Sequence, residues 1–525
     1  MKIDKTVFWI FVVIAAQVTA ARAAEASSQD APHIVLVLFD DMGFSDLGCY
    51  GGEIRTPHID ALAGEGLRFT QFKNAGRCCP SRAALLTGRH QHAVGLGFMT
   101  YNDEQLPGYR GQLTDSIPTI AELLRKAGYG TYLAGKWHVT LDSNMKDLKA
   151  GPNGSWPVDR GFDQSYGSLT GPRSYWKPKY MIRGGERITE KGADYYFTTA
   201  LSDQAVDYIE EHDPEKPMFL YLAHYAPHTP LQAPEDRIEA CRKLYEPGYD
   251  ALREARFERL QQLGFFQQDR SLPLHVQQYR GGRPAWDSLS PEQQENWITN
   301  KATYAAMVEI ADDGIGTLVT TLKQNGMYDN TVFLFLSDNG SAASQGDDKR
   351  LGMLGGELSN TPFRNYKADT YYGGIRSPLI VRAPGLSPEQ RGQLCHVPSH
   401  ITDILPTCLD WAEISYPDTF KGEAIPGPDG ISLVPATEGA DLPPREFFFE
   451  HSRSCSIISE NWKAVRTGNR DWTLYNLNND PFETTDIASE HPERLAQMSA
   501  SWQTWAMANH VLKPEQKKGK KKSKK

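Results

Sequence analysis

The chain has 525 residues, 40% of them hydrophobic and 23% charged, and its 56 Lys and Arg against 65 Asp and Glu leave a formal charge of −9. That length exceeds one compact core, for which roughly 100–200 residues is usual, so one large and one smaller domain are expected. An acidic body excludes a nucleic-acid binder, because phosphate contacts need a basic face.

The first segment reads as a targeting signal. Lys2 and Lys5 make a basic start, residues 7–16 an apolar run, and Ala21-Arg22-Ala23 an A-x-A-like cleavage site. The run is shorter than the ~20 apolar residues that span a bilayer. No later segment is long and apolar enough to serve as a transmembrane anchor. Residues 1–23 are therefore expected to be removed from an exported protein, periplasmic or secreted.

Residues 34–39 (IVLVLF) are continuously apolar, as in a strand buried on both faces of a sheet. Residues 116–127 read as a helix capped by Asp115 and closed by Gly128, and 129–134 as a strand. Residues 202–211 are helical by pattern, and 218–223 (MFLYLA) form another buried strand. The stretch 234–295 is polar, rich in Arg and Gln and broken by prolines. It reads as an insertion over one face with a short helix near 249–263. A long helix is expected over 299–324, then strands at 332–336 and 379–382. This alternation predicts an α/β fold over 24–416, a large mostly parallel or mixed sheet flanked by helices. Residues 417–444, rich in Pro and Gly, read as a linker. Beyond them, 446–450, 457–465 and 472–477 read as antiparallel strands and 492–506 as a closing helix. Residues 417–512 thus make a small C-terminal α+β subdomain. The tail 513–525 is nearly all lysine and is expected to be a disordered, solvated extension.

In open α/β sheets ligands sit beyond the carboxyl ends of the strands. Four predicted strands deliver polar groups there. Asp40-Asp41 follow the first, Gly135-Lys136-Trp137-His138 the second, His224 and Ala226-Pro227-His228 the third, and Ser337-Asp338-Asn339-Gly340 the fourth. Asp40, Asp41, Asp338 and Asn339 are hard oxygen ligands that suit Ca²⁺ or Mg²⁺ better than Zn²⁺. A lone Asp at a strand end is more often a cap or a turn residue; the pairing of two such sites favours a metal.

Seven cysteines is an odd count for an exported protein, so one thiol is free or has a function. Cys78-Cys79-Pro80-Ser81-Arg82 opens a predicted helix that runs to Gly88. Pro80 suits its first turn. Cys78 then lies at a helix N-terminus that favours an anion, and the planar fork of Arg82 matches the face of an SO₃ or PO₃ group.

C-x-P-S-R followed by L-L-T-G resembles the signature of the type I, formylglycine-dependent sulfatases of the alkaline phosphatase superfamily, position for position from Cys78 to Gly88. The ordered set D-D-M-G, C-C-P-S-R, G-K-W-H, A-P-H-T-P, S-D-N-G and G-G-I-R-S-P extends the resemblance over most of the chain. It implies an arylsulfatase-like hydrolase of sulfate esters, of an aryl sulfate or a sulfated carbohydrate. Cys78 would be converted to formylglycine (3-oxoalanine) by a formylglycine-generating enzyme. One hydroxyl of its gem-diol would attack sulfur, and the other would expel sulfate from the covalent sulfo-enzyme. Asp40, Asp41, Asp338 and Asn339, with the hydroxyl formed from Cys78, would hold calcium, with magnesium the second choice. Arg82 and Lys136 would hold the metal-facing side, His138 would act as the base, and His228 and Lys367 would grip the sulfate and protonate the leaving oxygen.

Val139-Thr140 stand where the family often has L-G, which alters only the loop beyond His138. His90 and His92 are further candidates for the pocket, or simply a solvent-facing turn. Trp156, Tyr175 and Trp176 are candidates for stacking on a ring, against the commoner fate of core packing. The same superfamily includes phosphodiesterases and phosphonate monoester hydrolases, which are the alternative reading, along with a non-catalytic binding protein.

Overall fold

The computed structural model describes residues 31–512 apart from 102, 142–150, 191, 193, 275–282, 347 and 453. The targeting segment 1–23 and the lysine tail 513–525 lie outside the described residues. Ten strands form one sheet in the order Leu394–Cys395, Leu67–Phe69, Leu379–Arg382, Thr331–Ser337, His33–Phe39, Met218–Ala223, Gly130–Lys136, Gln164–Ser168, Met181–Arg183, Glu186–Arg187. The five strands from Thr331–Ser337 to Gln164–Ser168 in this order run parallel. Leu379–Arg382 and Met181–Arg183 join their flanks antiparallel. Four parallel strands therefore end on one edge at Ser337, Phe39, Ala223 and Lys136, which is where the polar motifs begin.

The side-chain period of two divides each central strand between two helical layers. Val35, Val37 and Phe39 pack with residues of the Phe197–Glu210, Gly248–Gln262 and Pro291–Gln324 helices. Ile34, Leu36 and Leu38 pack with those of Cys78–Thr87, Ile120–Lys126 and Ile404–Trp411. Burial on both faces is what makes these strands read as unbroken apolar runs.

Several boundaries differ from the expected ones. The helix expected from 116 spans Ile120–Lys126, because Thr119 caps it. Glu122 N–H donates to the Thr119 hydroxyl at 3.2 Å, and Thr119 N–H donates to the Glu122 carboxylate at 2.8 Å. Asp115 instead pairs with Lys421 at the surface, 3.2 Å away. The long helix begins earlier, at Pro291, behind the Ser290–Gln293 capping box. The insertion carries two helices, Glu235–Arg242 and Gly248–Gln262. The second stands where a short helix was expected, and polarity hid the first. Part of the insertion's polarity is buried: the Arg256 guanidinium, fully enclosed, pairs with Asp46 at 2.9 Å and Glu53 at 2.6 Å.

The stretch 417–444 is packed rather than loose. Ile425, Leu433, Ala436 and Leu442 join the second core layer, and Asp429 accepts from His90 N–H at 2.7 Å. Beyond it stands a separate four-stranded antiparallel sheet, Phe447–His451, Ser454–Ser459, Trp462–Thr467 and Thr473–Asn476. The expected strand 457–465 is two strands, joined at Glu460-Asn461 with Glu460 at φ 52°. The Pro492–Ala508 helix covers this sheet through Met498, Trp502, Trp505 and Ala506. No helix among the described residues is long and apolar enough to cross a membrane.

Candidate active site

Cys78 is the first residue of the Cys78–Thr87 helix rather than its cap; Arg77 caps it in extended conformation. The whole helix is buried, and Gly88 closes it in the left-handed region at φ 66°. Ala75 N–H donates to Ser81 Oγ at 3.0 Å, folding the entering chain onto the first turn. Cys78 lies on the wall of a pocket of about 540 Å³ that is also lined by Asp41, Lys136, His138, His228 and Lys367. Four strand-end or loop segments thus meet Cys78 around this pocket.

Asp40 and Asp338 are fully buried and share one guanidinium. Arg82 Nε and Nη2 donate to Asp338 Oδ2 at 3.1 and 2.9 Å, Nη2 lies 3.3 Å from Asp40 Oδ2, and Nη1 donates to the Lys136 carbonyl at 2.7 Å. This corrects the expectation that the Arg82 fork meets an SO₃ face. The fork is wholly occupied by carboxylates and a carbonyl behind the pocket, and Arg82 is not among the pocket's lining residues. Lys136 Nζ also donates to Asp40 Oδ2. Asp41, at φ 67°, accepts at Oδ1 from Asn339 Nδ2 at 2.7 Å and from Lys367 Nζ. His228 Nε2 lies 3.6 Å from Asp41 Oδ2, and its Nδ1 bonds the Thr229 carbonyl at 2.5 Å. The Asp338-Asn339 turn is clamped by the Gly373-Gly374 segment. Gly340 N–H donates to the Gly374 carbonyl at 3.0 Å, and a Cβ on Gly340 would stand 1.8 Å from the Gly373 oxygen. Lys367 arrives on the same segment, its N–H bonded to the Ser341 carbonyl at 3.1 Å.

Two buried oxygens here, Asp40 Oδ1 and Asn339 Oδ1, have no hydrogen-bond partner among the described residues. Charge leads to the same place. Burial and the neighbouring Asp40 push the Asp338 carboxyl up to about 8. Burial also opposes ionisation of Asp40, but Lys136, His228 and Arg82 together hold it well below the usual range. Burial and mutual repulsion resist ionising both, and idle carboxylate and amide oxygens are what a hard divalent cation takes. Asp40, Asp41 and His228 each bring a donor atom within 4.8 Å of the others'. The donor set therefore fits a divalent metal.

On the other wall, Cys79 beside it, with Lys136, Lys367 and His138, lowers the Cys78 thiol well below its ordinary value despite burial. Burial, then Lys136, lowers His138, which stands at φ 59° and contacts the sulfur. Burial lowers His228 as well. Burial works against the Lys136 and Lys367 ammonium groups, but Asp40 and Asp41 raise both above the usual lysine value. A reactive position beside two fixed ammonium groups and two neutral imidazoles is equipped to hold a transferring oxyanion and to move protons at its two ends.

Other candidates fall elsewhere. His224 is buried without a hydrogen-bond partner among the described residues, and desolvation takes it down to about 3. It faces away from the pocket, with its ring edge-on to Phe39 at 5.3 Å. His90 and His92 do not line the pocket; His92 is buried and His90 half-buried. His92 Nε2 meets Glu450 Oε2 at 2.7 Å and His90 packs 5.0 Å from Trp505, so both join the helix end to the C-terminal subdomain. Trp156 is core. Tyr175 is buried, and its hydroxyl donates to the Tyr225 and His228 carbonyls at 3.0 and 2.8 Å, positioning His228 from behind. Trp176 is 37% exposed and packs over Tyr196.

Pocket residues not expected from sequence are Arg77, Tyr101, Arg173, Tyr225 and Lys349. Arg77 Nε is buried without a partner among the described residues. The Tyr225 ring stacks on His228 at 4.7 Å and carries Lys136 Nζ over its face at 5.2 Å. For Arg77 and Tyr225, proximity in sequence to Cys78 and His228 was the available signal; Tyr101, Arg173 and Lys349 carried none.

The Sulfatase family model matches residues 32–414. The arylsulfatase of Klebsiella aerogenes is 32% identical over 451 residues, which cover 79% of this chain and 93% of that protein. The N-acetylgalactosamine-6-sulfatase of Homo sapiens is 30% identical over 443 residues, covering 80% of this chain and 68% of that one. Among solved structures, Ps i-CgsB in complex with k-i-k-neocarrahexaose has a TM-score of 0.67 at 27% identity, covering 91% of this chain and 93% of that one. A family match over most of the chain, a relative at this identity and the alkaline phosphatase-like sheet together place the chain in the sulfatase family, the sulfuric ester hydrolases of the alkaline phosphatase superfamily.

Proposed function

We propose that this sulfatase cleaves the sulfate ester of a sugar or a phenol with Cys78, converted to formylglycine, as its nucleophilic residue, and with calcium held by Asp40, Asp41, Asp338 and Asn339. The observation that carries this reading is the position of Cys78. It opens a buried helix, facing Lys136, His138, His228 and Lys367, next to carboxylate and amide oxygens that lack partners. A hydrated formylglycine supplies one hydroxyl to attack sulfur and a second whose deprotonation expels sulfate. Calcium supplies positive charge against the transferring group and lowers the nucleophile's pKa; magnesium, which keeps more of its own water, suits so many protein oxygens less well.

In this reading Arg82 braces Asp40 and Asp338 rather than touching substrate. Lys136 and Lys367 hold the sulfuryl oxygens on either side of position 78. His138, neutral at pH 7 because burial lowers its pKa, takes the proton of the second hydroxyl. His228 donates Nδ1–H to the Thr229 carbonyl, so it would protonate the departing oxygen only in its doubly protonated form, with a second proton on Nε2, and the Lys367 ammonium stands beside it as the other proton donor. Cys78 is only 2% exposed, so conversion by a formylglycine-generating enzyme precedes closure of this helix. Residues 1–23 lead the chain out of the cytoplasm. Residues 24–416 form the catalytic domain and 417–512 the subdomain that closes its flank.

The test joins composition to rate. Mass spectrometry of the Cys78 peptide, from protein made with the converting enzyme, is expected to show the thiol replaced by an aldehyde or its hydrate. Cys78→Ala is expected to abolish turnover across a panel of aryl sulfate, sulfated oligosaccharides and phosphodiesters. An active protein with only unmodified Cys78, or unchanged turnover in Cys78→Ala, overturns the assignment.

A further inference from the structure

A cavity of about 1110 Å³, larger than the catalytic pocket, lies away from Cys78 and shares no lining residue with that pocket. It opens between the outer strands of the main sheet and the C-terminal subdomain. Leu67, Phe265, Phe266, Leu394, Val397 and Phe447 give it an apolar wall.

Lys73 and Arg376 also line it, and they are 2% and 7% exposed. Lys73 Nζ donates to the Gln71 carbonyl at 2.7 Å and stands over the Phe447 ring at 4.5 Å. Arg376 Nε donates to the Thr70 carbonyl at 2.8 Å, and its guanidinium is packed among Phe44, Phe363 and Tyr372. Among the described residues no carboxylate forms an ion pair with either. The nearby cations differ in this respect: Arg445 is neutralised by Asp403, 2.6 Å away, and Lys463 by Glu483, also at 2.6 Å. Two buried cations beside each other, with Asp403 and Glu483 acting on them from beyond ion-pair distance and engaged by Arg445 and Lys463, are costly unless something supplies the charge. Burial, then Arg376, Arg445 and Lys463, draw the Lys73 ammonium well below the usual lysine range against the opposing pull of Asp403, and burial outweighs Tyr372 and Glu483 to draw Arg376 down to about 10. The carboxylates that line the same cavity, Glu389, Asp441, Glu446 and Glu460, are all exposed at its rim, which disfavours a polyanion.

We propose that this cavity is a second ligand site, one that takes a small amphipathic monoanion: a carboxylate or sulfate group against Lys73 and Arg376, with an aromatic or aliphatic body along the Phe265–Phe266 wall. The acidic rim and buried cationic floor select one anionic group rather than a chain of them.

The test is a fluorescence titration of the full chain with anilinonaphthalene sulfonate, followed by competition with octyl sulfate, octanoate and inorganic sulfate. One saturable site per chain is expected, displaced by octyl sulfate or octanoate and not by inorganic sulfate at the same concentration. Which of the two competes identifies the headgroup. Lys73→Met is expected to weaken the probe at least tenfold without lowering Tm, because it removes an uncompensated buried charge. Ala440→Trp, at an exposed position on the cavity wall, is expected to weaken it as well while leaving both cations in place. Equal affinity in the parent and both variants, the absence of saturable binding, or equal competition by inorganic sulfate overturns the proposal.

Discussion

Arg82→Met separates two accounts of the most enclosed cation in the site. In the parent, Arg82 gives three of its donors to Asp338, Asp40 and the Lys136 carbonyl, at 2.7–3.3 Å and with no exposure at all. Methionine keeps most of the volume and removes the charge, so two buried carboxylates lose their shared partner. Removing one side of a buried pair costs about 3–5 kcal/mol, a penalty comparable to the whole stability of many domains. In metal-stripped protein at neutral pH, the urea midpoint of the catalytic domain is expected to fall by that equivalent with an unchanged slope. Calcium is expected to restore more stability to the variant than to the parent, since the uncompensated negative charge is greater. Adding Asp338→Asn removes the stranded charge, so the double variant is expected to lose about 1–3 kcal/mol less than the sum of the singles. An arginine that gripped the substrate's anion would behave differently, raising KM and leaving the unfolding midpoint in place. That outcome, or additive losses in the double variant, refutes the bracing role.

Asp312 offers a pH test far from the metal ligands. Its carboxylate accepts from the Ile59 and His58 N–H groups at 2.8 and 3.1 Å, capping the Pro57–Glu65 helix from another element, and burial pushes it up to about 7. The folded state keeps a proton that the unfolded chain releases near 3.8. This contribution is therefore complete below about pH 4 and is lost as pH rises toward 7. Asparagine does not titrate, so Asp312→Asn is expected to gain on the parent by about 2 kcal/mol between about pH 5 and about pH 7; a difference that does not change with pH contradicts it. Chelation is expected to abolish turnover and lower Tm, and calcium to restore both better than zinc. Full recovery with zinc alone counts against a site built from Asp40, Asp41, Asp338 and Asn339.

The catalytic edge was legible because a strand buried on both faces leaves a plain mark. Residues 34–39, 218–223 and 332–336 are unbroken apolar runs, and whatever follows each run stands at the end of the sheet where ligands collect. Asp40, His228 and Asp338 could be placed by that rule alone, although they come from distant parts of the chain. The direction of a side chain carries no such mark. Arg82 lies one helical turn after Cys78, a spacing that permits contact with the pocket as well as with Asp338 behind it, and only the packed structure decides for the latter. The same limit applied to His90 and His92, whose partners Trp505 and Glu450 lie over 350 residues away. The reading of 457–465 ran two strands together: Ile457, Ile458, Ala464 and Val465 mark strand on either side, and the polar turn at Glu460-Asn461 between them was read through. The Glu235–Arg242 helix was missed for the opposite reason: only Cys241 of it is buried and the rest is largely polar, so a periodicity that counts only apolar residues sees a loop. Each of these misses is a polar group whose fate depends on a distant partner, and the Lys73–Arg376 pair is the same kind of feature with the partner still to be supplied.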